Sequence, residues 1–359
     1  MSHLFTSFTL RGVTLRNRIG MSPMCQYSCE ARDGRATDWH LHHYAARAIG
    51  GAGLITVEAT AVEARGRISP QDTGLWDDSQ IEPLAELAAT IRRYGAVPGI
   101  QIAHAGRKAA TFRPWEGGGP LREADGAWPV IGPGALPFSE AHQTPSALTV
   151  EEIAGIVEAF AQAARRANEA GFDWLELHGA HGYLLHSFLS PLANQRHDDY
   201  GGDFAGRTRL MREVVAAARA VWPDRKPLAV RLSCTDWLDG GWAIGDSVAL
   251  ARQLARLGVD LIDCSSGGIR PGVAIPLEPG YQVPFAEAIR HQSGLPVAAV
   301  GLILSAEQAE GILSEGKADL VYLGRQLLRE PNWPLHAAAD LEGRAGELMP
   351  PQYRWTLER

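Results

Sequence analysis

Leu175-Glu176-Leu177-His178-Gly179-Ala180-His181-Gly182-Tyr183-Leu184-Leu185 reads as a short apolar strand that ends on a histidine and runs straight into chemistry-bearing side chains. Two imidazoles spaced H-x-x-H, with a phenol two positions later, can hold a substrate oxygen and deliver a proton. Strand ends are where parallel α/β enzymes keep such groups. Taken alone, the pair reads equally well as one satisfied core histidine and one surface histidine. Its surroundings decide between the two.

Seven further apolar runs flank this one in the chain. Together the strand candidates are Arg18–Met24, Leu54–Ala59, Val97–Ala103, Trp174–His178, Leu228–Cys234, Leu261–Cys264, Val297–Val300 and Leu320–Leu323. Most are nearly continuous in Val, Ile, Leu and Ala, as parallel strands buried on both faces require. Helix signals lie between them. Thr149 with Glu152 forms a capping box, Leu148 with Ile153 a staple, and Ile153, Ile156, Val157, Phe160 and Ala164 one helical face that Gly171 ends. Ser305 with Gln308 repeats the capping pattern, with Gly316 at the stop.

Eight βα units without a linker predict an α/β fold of the closed (β/α)₈ (TIM) barrel type, a single domain over residues 1–359. An open doubly wound sheet is weaker, because no G-x-G-x-x-G follows the first strand. Thr9–Arg16 alternates like a hairpin that caps the barrel bottom. Gly106–Ser146, rich in Pro and Gly, is too long for an ordinary loop and reads as a lid or interface insertion after strand three. Residues 334–359 read as a helical or extended tail.

Composition narrows the classes of function. Apolar residues make up 45% and charged residues 21%, an ordinary globular profile. The net charge of −7 speaks against nucleic acid or an anionic membrane as partner. No apolar run reaches the roughly 18 residues of a membrane span. Met1-Ser2-His3-Leu4-Phe5 has no basic flank and no signal core, so a cytoplasmic location is expected. Four cysteines with no C-x-x-C pair remove the main support for a disulfide framework, a zinc ribbon or an iron–sulfur cluster. No metal site is expected: the H-x-x-H pair lacks the glutamate of H-E-x-x-H and a third ligand.

In a barrel, chemistry collects after the strands. Strand one leads into Ser22-Pro23-Met24-Cys25-Gln26-Tyr27 and strand three carries Gln101; strand five carries Arg231, strand seven ends at Gly301 and strand eight at Gly324-Arg325. Loops after strands seven and eight form the usual barrel phosphate pocket, where glycine lets backbone N–H groups approach an anion. Arg325 adds a charged fork. Arg231 sits among Leu228, Ala229, Val230 and Leu232, where a charge is expensive to bury without a partner. That partner is a bound anion or polar cofactor edge, or, as the protein alternative, Glu176 on the neighbouring strand. Together these residues suggest a planar, hydrogen-bonding ligand over the mouth with its phosphate at strands seven and eight, which is the shape of FMN.

With these segments in place, the chain resembles the Old Yellow Enzyme family of FMN-dependent ene-reductases, in the bacterial class of xenobiotic reductases and NamA-type NADPH dehydrogenases. The carrying segments are Ser22–Tyr27, Val57–Val62, Gln101–Lys108, His178–Leu184 and Leu323–Arg325, with Phe188–Pro191, Tyr200–Gly202 and Tyr281–Phe285. They span essentially the whole chain in barrel order. The resemblance implies that Ser22, Pro23, Met24, Cys25 and Ala59 line the flavin ring and that Gln101 bonds its pyrimidine. It places Arg231 where reduced flavin carries negative charge, and Gly301, Gly324 and Arg325 on the phosphate. It also implies that His178 and His181 bind the carbonyl oxygen of an activated alkene, that Tyr183 donates the proton and that Tyr27 closes the pocket.

The implied activity is a ping-pong reduction of activated alkenes by NADPH, or NADH, in a homodimer or homotetramer. Pro351-Gln352-Tyr353-Arg354-Trp355 resembles the segment that enters a neighbouring subunit's site in this class, with Arg354 or Trp355 reaching across. Leu302 after Gly301 follows the NADPH dehydrogenase pattern. Two readings compete: a flavin-binding barrel with little turnover, and a flavin-free phosphate-binding barrel enzyme such as an aldolase, whose Schiff-base lysine would have to end a strand, which none does.

Overall fold

The computed structural model describes residues 2–343 and 345–357. Met1, and Arg344, Glu358 and Arg359 of the expected tail, lie outside the described residues. An antiparallel hairpin, β1 (Phe8–Leu10) and β2 (Val13–Leu15), leads into β3 (Ile19–Met21), β4 (Leu54–Ala61) and β5 (Val97–Ala103). Two short strands, β6 (Ile131–Gly132) and β7 (Ser146–Ala147), belong to the insertion after β5. The chain continues through β8 (Trp174–Gly179), β9 (Leu228–Ser233), β10 (Leu261–Ser265), β11 (Val297–Val300) and β12 (Leu320–Leu323). Strands β3, β4, β5 and β8 to β12 pair in parallel, and β12 pairs back to β3, which closes an eight-stranded barrel.

Helices fill the crossovers: α1 (Asp38–Ile49), α2 (Ile81–Arg93), α3 (Val150–Glu169), α4 (Leu184–Leu189), α5 (Phe204–Val221), α6 (Ile244–Arg256), α7 (Val283–Ser293), α8 (Ala306–Ser314) and α9 (Arg325–Arg329). Two more, α10 (Trp333–Glu342) and α11 (Pro351–Arg354), form the tail. The expected capping box opens α3: Thr149 Oγ1 accepts from Glu152 N at 3.1 Å, and Thr149 N donates to Glu152 Oε2 at 2.8 Å. At α8 the Ser305 hydroxyl caps Gln308 N, but the Gln308 side chain accepts from Leu304 N rather than closing on Ser305.

Strand side chains alternate between faces, and the two faces of this barrel have different chemistry. Residues such as Ile55, Val57, Ile100, Ile102, Leu175 and Leu177 point outward and pack on Leu84, Ile91, Ile153 and Phe160 of the helices. The inward set starts apolar at the strand N-termini, with Leu54, Trp174, Ala229, Leu261, Ala298 and Leu320 around Leu15. Phe8, Leu10 and Val13 pack on that cluster, so the hairpin plugs the bottom. Towards the strand C-termini the inward set turns polar: Thr56, Gln101, Glu176, His178, Arg231, Asp263 and Ser265 are all buried. This polar upper half positions the site.

Two strand ends differ from expectation by more than one residue, while the start of β3 and the ends of β8, β9 and β10 differ by one. β3 ends at Met21, because Pro23 has no N–H to continue a ladder. β4 runs on to Ala61 through a register shift between Val57 and Thr60. The insertion folds on its own small cluster of Ala105, Ala109, Ala110, Leu121 and Val130, against which Tyr183 packs. Within the barrel, Gly20 lets the Tyr322 ring cross the interior; a Cβ there would stand 2.5 Å from Tyr322 Cε1. Gly20→Ala should therefore destabilise the protein by about 1–3 kcal/mol through overpacking. Thermal unfolding checks this, and an unchanged midpoint would contradict the contact.

Candidate active site

The turn after β8 brings the two histidines together. His178 Nε2 and His181 Nδ1 lie 3.4 Å apart, and the rings meet edge to face with centroids 5.0 Å apart. The Tyr183 ring stands at the same distance from His178 on another side. His178 Nδ1 accepts from Ala180 N at 3.3 Å, which leaves its proton on Nε2, pointing at the mouth. His181 Nε2 is 2.7 Å from Ser265 Oγ. If that hydroxyl donates, His181 carries its proton on Nδ1, and both imidazoles present N–H groups to one point. Burial, with Arg231 nearby, holds both well below the ordinary histidine value, so both are neutral at neutral pH.

The geometry of the turn is over-determined. His181 adopts φ 60°, a left-handed conformation uncommon for a residue with a side chain. Gly182 (φ 73°) cannot take a Cβ, which would collide with the Gly268 carbonyl on the loop after β10. Gly182 N donates to His186 Nδ1 at 2.8 Å, and His186 Nε2 lies 3.0 Å from Asp236 Oδ1. Burial raises the Asp236 carboxyl, but His186 and Ser190 outweigh it and leave the group below its usual range. Lys108 Nζ donates to His181 O at 2.8 Å from beneath. Burial, then Arg107, lowers this ammonium to about 8.

Across the mouth, the segment after β3 carries Cys25 and Tyr27, half-buried beside Tyr183. Tyr27 is also left-handed, with φ 51°. The Cys25 thiol beside it, followed by burial, raises its hydroxyl; burial, then Cys25, raises that of Tyr183. Both phenols are protonated. Glu58 on β4 fixes this segment. Its carboxylate accepts from Gln26 N at 2.8 Å and Tyr44 Oη at 3.1 Å, and His40 Nε2 stands 3.3 Å away. Ala59, Asp72 and Tyr183 line a small cavity on the far side.

A cleft of about 310 Å³ opens beside the histidines. It brings together Ser22, Pro23, Met24, His181, Arg231, Gly301, Gly324 and Arg325. Cys25, Tyr27, Ala59, Gln101, His178 and Tyr183 are not on its walls; Ala59 and Tyr183 line the small cavity instead, and Gln101 and His178 are buried in the barrel interior. Gly301 has φ 118°, and a Cβ there would stand 2.7 Å from Gln282 Nε2. Arg325 is exposed at the outer end. At the inner end Arg231 is buried, and its Nε has no aligned hydrogen-bond acceptor although Asp263 Oδ2 lies 3.1 Å away. Asp263, rather than Glu176, is therefore the nearest carboxylate to Arg231; Glu176 accepts from Gln101 Nε2 at 2.7 Å. A flat ligand with hydrogen-bonding edges and an anionic tail fits a cleft with a buried cation at one end and glycine backbone beside an arginine at the other. A larger groove of about 750 Å³ between α5 and α6 contains none of these residues.

Ser265, Glu58, His40, His186 and Asp263 escape the sequence reading. Asp263 and Glu58 left a signal, each as a carboxylate inside an apolar run, Leu261–Cys264 and Leu54–Ala59.

Comparison with known proteins agrees with this geometry. Residues 3–343 match the model of the NADH:flavin oxidoreductase / NADH oxidase family. The NADPH dehydrogenase of Geobacillus sp. (strain WCH70) is 50% identical over 338 residues, covering 94% of each chain. That of Halalkalibacterium halodurans is 49% identical over 342 residues, 95% of this chain and 96% of the relative. Among solved structures, morphinone reductase superposes with a TM-score of 0.79 at 27% identity, over 94% of this chain and 90% of that one. The old yellow enzyme homologue from Zymomonas mobilis gives 0.79 at 26%, over 94% and 93%. The chain belongs to the NADH:flavin oxidoreductase / NADH oxidase family, the FMN-binding oxidoreductases of Old Yellow Enzyme type.

Proposed function

We propose that this oxidoreductase is an NADPH dehydrogenase that reduces the C=C bond of activated alkenes: α,β-unsaturated ketones and aldehydes, maleimides and nitro-activated alkenes. NADPH is the reductant, with NADH as the alternative. The observation that carries the reading is the convergence of His178 Nε2 and His181 Nδ1 beside a cleft with Arg231 at its inner end. FMN held in the cleft would supply hydride transfer between the nicotinamide and the alkene Cβ, through N5.

The chain's own residues do the rest. Ser22, Pro23, Met24, Cys25 and Ala59 would line the ring system and Gln101 its pyrimidine edge. Gly301, Gly324 and Arg325 would hold the phosphate. Arg231, buried at the inner end of the cleft, would set a fixed positive charge beside the ring and favour its negatively charged reduced form. His178 and His181, being neutral, bind a substrate carbonyl oxygen as two N–H donors and draw electron density out of the conjugated bond. Ser265 keeps the His181 proton on the nitrogen that faces substrate. Tyr183, protonated and edge-on to His178, donates the proton to Cα, and Tyr27 closes the pocket. The exposed tail residues Arg354 and Trp355 are suited to contact a second subunit, in a homodimer or homotetramer.

Three outcomes test this reading. Purified protein should be yellow with stoichiometric FMN; colourless protein that takes up no added FMN would remove the cofactor role of the cleft.

His178→Ala or His181→Ala should weaken phenol binding by roughly 1.5–3 kcal/mol, the value of one charge-assisted hydrogen bond, since a phenolate mimics the bound oxygen. Because both imidazoles are depressed well below their ordinary value, wild-type affinity should show no histidine protonation step at the unperturbed value of about 6.5. Spectral titration across the acid range reads both effects, and unchanged affinity in both variants would make the pair structural.

Tyr183→Phe should leave flavin reduction by NADPH nearly intact and slow reoxidation by 2-cyclohexenone about 10²–10⁴-fold, the usual contribution of a general acid. Stopped-flow reoxidation measures this, with a maleimide as the strongly polarised acceptor that should be affected less. Equal rates for wild type and variant with both acceptors would assign the proton to another donor.

A further inference from the structure

The barrel interior beneath the mouth holds more ionisable groups than substrate binding explains. Glu176 on β8, Arg231 on β9 and Asp263 on β10 face inward on three consecutive strands; the two carboxyl groups are fully buried and Arg231 borders the floor of the cleft, with Gln101 on β5, Thr56 on β4 and Tyr322 on β12 around them. Gly20 on β3 adds no side chain, and Ala298 and Val300 on β11 are apolar. His178, two residues beyond Glu176, is neutral. The layer thus contains two carboxyl groups and one guanidinium. It also contains an unusual set of unmatched atoms: Glu176 Oε2, both Asp263 oxygens, Arg231 Nε, Thr56 Oγ1 and Tyr322 Oη have no aligned hydrogen-bond partner.

Charge arithmetic in such a layer leaves two states. With both carboxyls ionised the layer carries a net −1, and one of the two negative charges is buried without a cation of its own, a penalty of several kcal/mol. With one proton retained the layer is neutral and Arg231 is matched one to one. Geometry decides which group keeps the proton. Asp263 is the one in contact with the guanidinium, at 3.1 Å, while Glu176 has only the neutral Gln101 amide, at 2.7 Å from Oε1. Burial, and then the Asp263 charge, pushes Glu176 up to about 8. Burial also raises Asp263, to about 6, against the pull of Arg231. Tyr322 is raised further still by burial and by the same two carboxyls, and stays protonated.

We propose that Glu176 and Asp263 form a proton-sharing pair, coupled through Arg231 to the redox state of the bound flavin, which takes up a solvent proton when the flavin is reduced in alkaline solution. The inference rests on FMN lying against Arg231. Hydride transfer brings two electrons and one proton and leaves one extra negative charge beside Arg231. That charge competes with Asp263 for the guanidinium and makes ionised Glu176 more costly. The second proton moves from solvent to the Glu176 carboxylate, so two electrons arrive with two protons and no further oxidant or reductant is needed. Where the pair already holds its proton in the oxidised protein, nothing is taken up. The sign follows: the linkage is silent on the acid side of the upper ionisation and active on its alkaline side.

The test is a spectroelectrochemical titration of the FMN-loaded enzyme at a series of pH values, for wild type, Glu176→Gln and Asp263→Asn. For a two-electron couple one proton corresponds to about 30 mV per pH unit. The wild-type midpoint should fall by about 30 mV per pH unit up to about pH 8, by about 60 mV above it, where a second proton joins, and by about 30 mV again once the pH passes the pair's ionisation in the reduced protein. Glu176→Gln should keep the shallower slope throughout. A second measurement does not involve the flavin: flavin-free protein should show the infrared carbonyl stretch of a buried protonated carboxylic acid at neutral pH, lost in alkali and absent in Glu176→Gln. A single straight line for wild type, or the absence of that band, overturns the proposal. Both wild-type measurements stand even if a variant fails to fold. Protein that binds no FMN overturns the cofactor reading, and with it the redox coupling, whereas FMN-loaded protein with a straight line overturns the coupling alone.

Discussion

Burying the Arg231 guanidinium inside a closed barrel constrains most of what surrounds it. Removing such a group from water costs several kcal/mol unless charge and hydrogen bonds replace the solvent. The neighbouring strands supply the charge: Asp263 on β10 stands 3.1 Å away, with Glu176 on β8 as the second carboxyl group of the layer. Gln101 then has to hold Glu176, Tyr322 has to span the interior, and β3 has to present a glycine for the ring to lie against. None of these residues would suit the lower half of the same barrel, where Trp174, Leu261 and Leu320 close on the hairpin. The fold thus divides its interior into a dry plug that contributes stability and a polar layer that holds a cation ready for an anionic ligand edge.

A second constraint lies at the rim. Left-handed conformations at Tyr27, His181 and Leu302 each carry backbone strain of order 1–3 kcal/mol. They gather around one mouth, where packing supplies the compensation. His181 is held from several sides, by Lys108 on its carbonyl, Ser233 on its amide and Ser265 on its ring. Tyr27 follows a backbone amide, that of Gln26, anchored on Glu58, which itself rests on Tyr44 from α1. Strain that is so fully supported fixes side-chain direction, and direction is what two converging N–H donors need.

Much of this could be read from the chain, for definite physical reasons. Parallel strands buried on both faces must be apolar on their outward positions, so the eight runs stand out, and a polar residue within one can only point inward. That is why Gln101, Arg231 and the His178–His181 pair announce themselves. Partners are harder. Asp263 is drawn to Arg231 by register, which a linear reading does not display: the two stand opposite each other on β10 and β9, whereas Glu176 stands opposite Ala229. Ser265 sits in Cys264-Ser265-Ser266-Gly267-Gly268, where nothing distinguishes a hydroxyl that bonds the His181 ring from a turn residue. His40 resembles its neighbours His42 and His43, yet it alone reaches Glu58. Non-glycine residues with positive φ leave no compositional trace at all.

The insertion after β5 shows how these constraints reach the surface. Arg113 bonds Glu30 at 2.7 Å and Glu116 at 2.6 Å, so it ties the insertion to the segment that carries Tyr27. Its neighbour Trp115 meets the Tyr27 ring edge-on at 5.9 Å. On the inner side, the apolar cluster of the insertion packs against Tyr183. The two phenols that flank the mouth are therefore supported by one irregular segment rather than by two independent loops. The insertion also reaches the histidine turn, through Lys108 on the His181 carbonyl, but His181 has further anchors on β9 and β10 in Ser233 and Ser265. The histidine pair and the two phenols thus have different supports, the first fastened to barrel strands through Ser233 and Ser265 and the second packed on a loop whose length the barrel does not dictate.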